Sequence, residues 1–108
     1  MLRDRPYGLA RLSEALTQRG EYEAALTAAR EGLEAREKTG SRQWEPEFHR
    51  LAGIALLGLN RVEDAEHALQ EALRVARTQQ AKAYELRAAM SLARLRGEQG
   101  RRTEAHEN

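Results

Sequence analysis

Cysteine is absent from this 108-residue chain, so it has no disulfide framework, no thiolate nucleophile and no cysteine-based zinc site. Proline is confined to Pro6 and Pro46, which leaves long stretches in which a helix meets no obligatory break. Ile and Val supply three residues against 34 from Leu and Ala, and that shortage of β-branched side chains argues against sheet and for helix throughout. A dominant charge is also missing. Eighteen basic residues face 17 acidic ones for a net charge of +1, so no broad field draws in nucleic acid or an anionic membrane. No apolar run approaches the roughly 20 residues of a membrane span, and Met1 to Pro6 has no apolar segment of signal-peptide type. A cytoplasmic location is the resulting expectation. Leu, Ile, Val and Phe together stay under a fifth of the chain, a level that hints at disorder. The small net charge and the regular apolar spacing favour a folded, alanine-rich helical domain instead. The length fits a single domain.

What the chain does have is a period. Gly20-Glu21-Tyr22-Glu23-Ala24-Ala25-Leu26, Asn60-Arg61-Val62-Glu63-Asp64-Ala65-Glu66 and Gly100-Arg101-Arg102-Thr103-Glu104-Ala105 recur at intervals of 40 residues. Leu16, Ala25 and Leu33 are answered by Leu56, Ala65 and Leu73, and Trp44-Glu45 by Tyr84-Glu85. Self-similarity at such a period marks a supersecondary unit that stacks on copies of itself to complete its core. The copies span about residues 6–40, 41–80 and 81–108, the last incomplete.

Within each copy the apolar spacing is that of two helices. Asp4 is a candidate cap for the first, with Pro6 in its opening turn and Leu9, Leu12 and Leu16 on one face before the Gly20 stop. Tyr22, Ala25, Leu26, Ala29 and Leu33 line a second helix ending near Gly40, and Gly32 inside it reads as a close helix contact, since its counterpart is Ala72. Ser41 is a candidate cap for the third, although Pro46 calls for an irregular start or one nearer Glu45. Phe48, Leu51, Ala52, Ala55, Leu56 and Leu59 form its core face. Val62, Ala65, Leu69, Ala72, Leu73 and Ala76 mark the fourth helix, and Tyr84, Ala88, Ala89, Leu92, Ala93 and Leu95 the fifth. Between these two, Thr78 to Ala83 holds no Gly or Pro, so the joint is either a tight turn at Gln79-Gln80 or a partial fusion. Arg101 to Asn108 offers only Ala105 as an apolar residue and is expected to be a truncated sixth helix.

The signature resembles the tetratricopeptide repeat. It is carried by Ser13, Gly20, Tyr22, Ala25, Leu26, Gly32 and Leu33, by Gly53, Asn60, Val62, Ala65, Leu69, Ala72 and Leu73, and by Ala93, Gly100 and Ala105. The period of 40 exceeds the family's usual 34, Asn60 stands for Gly, and Arg102 for an apolar residue. The resemblance implies an all-α fold of antiparallel helix pairs stacked as a right-handed α-solenoid, here five full helices and the truncated sixth. The segment from Gln79 to Leu95 is also similar to the C-terminal repeat region of large bacterial signalling ATPases, many of which carry a nucleotide-cyclase or DNA-binding domain at the other end. That likeness imports no active site.

Catalytic chemistry has little to stand on. His49, His67 and His106 have no second His three or four residues away as a helical zinc pair would, whereas Glu45/His49 and Glu63/His67 have the spacing of surface pairs. Gly53 to Gly58 lacks the strand context and the Gly-Lys-Ser/Thr end of a phosphate loop. Ser13, Ser41 and Ser91 have no activating His nearby, and Trp44 and Tyr84, one period apart, read as packing anchors. No enzyme activity, cofactor or metal is expected. One surface does stand out. If the first helix of each pair lines the inner face, as the resemblance implies, Glu47, Arg50, Ile54 and Leu57 lie beside Arg87, Met90 and Arg94, with Tyr7, Ala10, Glu14 and Thr17 contributed by the first copy. Ile54, Leu57 and Met90 fall outside the Ala/Leu core stripe, so they either form an exposed apolar patch of the kind that marks binding sites or pack on a neighbouring molecule or a missing part of the array. The expectation is a noncatalytic protein-binding module, the regulatory part of a bacterial signalling protein, whose groove takes an acidic amphipathic segment. A self-assembling spacer and a small-molecule sensor are the alternatives, and open stack ends lead us to expect self-association as a dimer.

Overall fold

A good helix former placed every three or four residues buries only one face, so each helix here needs a neighbour, and the turns decide which neighbour it meets. A computed structural model describes residues 6–39 and 42–107 of the chain. Five helices account for nearly all of them: α1 (Pro6–Gln18), α2 (Tyr22–Thr39), α3 (Glu45–Gly58), α4 (Val62–Thr78) and α5 (Lys82–Glu107). Among the described residues there is no strand. The candidate caps Asp4 and Ser41 and the Gly40 stop lie outside them.

Three turns share one wiring. Glu21 N–H donates to the Leu16 carbonyl at 2.9 Å, Arg61 N–H to Leu56 at 2.9 Å and Ala81 N–H to Ala76 at 2.8 Å, while Gly20, Asn60 and Gln80 donate to Thr17, Leu57 and Arg77. This is the Schellman arrangement, which needs one residue in the left-handed region. Gly20, Asn60 and Gln80 supply it with φ of 78°, 64° and 57°. The carbonyl of the next residue then opens the following helix, as Glu21 does for Ala25, Arg61 for Ala65 and Ala81 for Glu85. Such short links make α1–α2, α3–α4 and α4–α5 antiparallel. The Gln79-Gln80 joint is thus a full turn, closed without glycine, and Gln79 Nε2 also donates to the Arg42 carbonyl at 2.8 Å, tying this turn to the segment that leads into α3. That helix begins at Glu45 with Pro46 in its first turn, where the missing N–H is harmless.

α1, α3 and α5 lie side by side, α2 packs between α1 and α3, and α4 between α3 and α5. The core runs through Leu9, Ala25, Leu26, Ala29, Phe48, Leu51, Ala55, Ala65, Leu69, Leu92 and Leu95. Small residues set the helix spacing. Ser13, fully buried, donates its Oγ to the Ala25 carbonyl at 2.8 Å where α1 meets α2. At the equivalent crossing of α3 and α4, a Cβ on Gly53 would come within 2.8 Å of Leu69 Cγ and 3.2 Å of the Ala65 carbonyl oxygen. Between the copies, Gly32 faces the Phe48 ring and Gly58 the Tyr22 ring, each so close that a Cβ would stand under 3 Å away.

Two expectations are corrected. No turn interrupts the chain at Gly100, because α5 continues as one helix of 26 residues through Gly97 and Gly100 to Glu107. Folding back would bury only Ala105, too little to offset the backbone order of a turn, whereas continuing the helix keeps its hydrogen bonds. Ala93, expected in the core with Leu92 and Leu95, is exposed because no helix among the described residues covers it.

Candidate functional site

The three helices of the front row carry the groove residues at matching register, since positions 7, 47 and 87 stand one period apart, as do 14, 54 and 94. Arg50, Ile54 and Leu57 of α3 meet Arg87, Met90, Ser91 and Arg94 of α5 around one hollow of about 250 Å³, with Leu69 of α4 at its back. Six of the seven residues singled out in the sequence therefore line a single cavity. Glu47, the seventh, belongs to the adjoining hollow of about 220 Å³, where it is joined by Tyr7, Ala10, Arg11, Glu14, Trp44, Tyr84 and Arg87. Arg87 borders both.

Glu47 is only 4% exposed, so its carboxylate needs partners to be tolerable there. It has two. Arg50 Nε donates to Oε2 at 3.1 Å and Arg50 Nη2 to Oε1 at 2.5 Å, while Arg87 Nη1, 40 residues away, donates to Oε1 at 3.0 Å. One carboxylate thus orients two guanidiniums, and the cluster keeps a net positive charge. The Arg50 side chain is 16% exposed and that of Arg87 59%, so Arg87 has the freer donors. Arg94 is exposed and makes no ion pair among the described residues. Glu47 accordingly holds the groove together from within, a role that its expected place on the ligand-facing surface did not include. The opposite charges of Glu47 and Arg87 one period apart were the available signal.

The adjoining hollow is aromatic. Tyr7 and Trp44 meet edge-to-face with ring centroids 6.1 Å apart, and the Arg11 guanidinium lies 6.0 Å from the Tyr7 ring centre. Trp44 does serve as an anchor between copies, as its recurrence suggests, but Tyr7 stays 62% exposed. Among the candidate surface pairs, His49 Nε2 stands 3.8 Å from Glu45 Oε1, whereas Glu63 and His67 form no ion pair among the described residues. No group of three or more His, Cys, Asp or Glu among the described residues is placed to hold a metal ion. No described helix is long and apolar enough to cross a membrane.

The groove offers an apolar floor flanked by cations and no nucleophile with a base beside it. It can seat apolar side chains and meet carboxylates. Compared with protein-family models, with curated proteins and with solved structures, the chain matches none.

Proposed function

We propose that the chain is a noncatalytic helical-repeat module of tetratricopeptide type whose front row binds an acidic amphipathic protein segment. The observation that carries this reading is the grouping of Arg50, Arg87 and Arg94 around Ile54, Leu57 and Met90 in one hollow. An amphipathic helix or extended segment laid there buries its apolar side chains on the floor and sets its carboxylates against Arg87 and Arg94. The prior buttressing of Arg87 by Glu47 limits the side-chain entropy lost on binding. The 40-residue repeat and the pairing of each helix with its chain neighbours support a solenoid, whose right hand is what the tetratricopeptide resemblance implies. The likeness of Gln79 to Leu95 to the repeat regions of bacterial signalling ATPases supports a regulatory task in the cytoplasm.

The test is a fluorescence-anisotropy titration with labelled amphipathic peptides of one apolar pattern, acidic in one series and basic in the other. The acidic series should bind and the basic series should not. Arg94→Glu should weaken acidic binding about tenfold or more, the loss typical of a central interface residue, with an unchanged melting temperature. Equal binding of both series, or indifference to Arg94→Glu, removes the groove as the site.

A further inference from the structure

A helix packed on one side ordinarily shows charged residues on the other. α5 does so at Lys82, Arg87, Arg94 and Arg96, but an uncharged stripe runs between them. Leu86, Met90, Ala93, Gly97 and Gly100 recur every three or four residues opposite the buried Ala88, Leu92 and Leu95, and all five are exposed, Leu86 by 62% and Met90 by 55%. In a chain with 32% charged residues this solvent-facing stripe carries none. The glycines single it out a second time. A Cβ on Gly32, Gly53 or Gly58 would collide with Phe48, Leu69 or Tyr22, but one on Gly97 or Gly100 meets nothing within 4 Å. A helical glycine costs about 1 kcal/mol relative to alanine, and at these two positions no contact among the described residues accounts for it.

The internal repeat shows what belongs on such a stripe. Ser13 and Gly53 hold the register of Ala93, and both are buried beneath an antiparallel helix that crosses them through Ala25 or Ala65. α5 has no such cover. We propose that a second copy of this chain provides it: the two α5 helices pair antiparallel about a two-fold axis at Ala93, each covering a face that no helix among the described residues of the other covers. The stripe is self-complementary about that point. An axis at Ala93 brings Ala93 to Ala93, sets Leu86 of each copy against Gly100 of the other, and sets Met90 close to Gly97, so that large residues meet small ones and the backbones approach. The stripe shares Met90 with the groove but leaves Glu47, Arg50 and Ile54 outside it, and its test reads mass and cross-linking, which do not depend on whether the groove binds a peptide.

Three full-length single-cysteine or charge variants test it in an otherwise cysteine-free chain. Light scattering across a concentration series should rise from 12.2 kDa toward twice that mass for the wild type. Gly97→Glu should hold the monomer mass with undiminished helix content, because its side chain enters open space in the single chain. Oxidation of Ala93→Cys should give a disulfide-linked dimer, and Leu12→Cys, on the exposed face of α1, should not. A monomer mass at every concentration, a dimer that survives Gly97→Glu, or cross-linking of Leu12→Cys to Ala93→Cys in a mixed sample, which signals head-to-tail stacking, would each overturn the proposal.

Discussion

The α1–α2 and α3–α4 crossings occupy the same place in successive copies and solve it with different chemistry. At the first, Ser13 fills the space and donates a hydrogen bond to the Ala25 carbonyl. At the second, Gly53 leaves the space to Leu69 and the Ala65 backbone, with no side-chain bond at all. What the two share is small volume at both partners, so the repeat transmits a distance between helix backbones and leaves the means of filling it free. Substitutions that violate volume should therefore cost the same at both crossings, and substitutions that remove polarity should cost only at the first.

The largest effect is expected from Ala65→Leu and Ala25→Leu. Both positions are fully buried, and overpacking such a site costs about 1–3 kcal/mol. In a domain of this size each kcal/mol lowers the melting temperature by about 4–8 °C, readable by circular dichroism. Unequal losses would show that the crossings are not equivalent, and no loss at Ala65 would displace the register of α4. Ser13→Ala comes next, at about 0.5–1.5 kcal/mol for one buried hydrogen bond. The side chain that remains is the alanine that Ala93 shows at the same register, so a loss above that range would mean that the bond sets the α1–α2 angle.

The smallest effects separate the turns. Gln80 and Asn60 adopt the same left-handed conformation as Gly20, but Asn enters that region more readily than Gln. Gln80→Gly should raise stability by about 0.5–1 kcal/mol, the usual gain from relieving left-handed strain, and Asn60→Gly should raise it by less. The reverse order would mean that the Gln79 contact with Arg42 depends on Gln80 as it stands.

The same particulars show what could be read without coordinates. Helices α2 and α4 start 40 residues apart at Tyr22 and Val62, as the repeated turn residues require, and the front-row residues meet because their spacing matches the period. The sequence leaves the Gln79-Gln80 joint open between a turn and a fusion because its left-handed residue is neither Gly nor Asn, and the turn is settled by the pairing of α4 with α5 and the Gln79 bond to the Arg42 carbonyl. Gly100 misled in the other direction: it holds the register of Gly20 and Asn60, yet a glycine ends a helix only if the segment beyond has something to pack on. Glu47 read as a surface acid because charge alone says nothing of burial, which here depends on two arginines, one of them in the next copy.

Those front-row registers have a bearing on how such a molecule changes over time. Across one row the side chain passes from Tyr7 to Glu47 to Arg87, and across another from Glu14 to Ile54 to Arg94, while behind them Ala25 and Ala65 are the same. The residues that dictate shape and those that would be read by a ligand are thus different residues on different helix faces, Ser13 and Gly53 turned inward on the same helices as Glu14 and Ile54, as in a type case whose frame is fixed and whose letters are loose. A new vocabulary can be set along α1, α3 and α5 one letter at a time, with the frame undisturbed except at letters such as buried Ala10 and Glu47 that also serve as rivets.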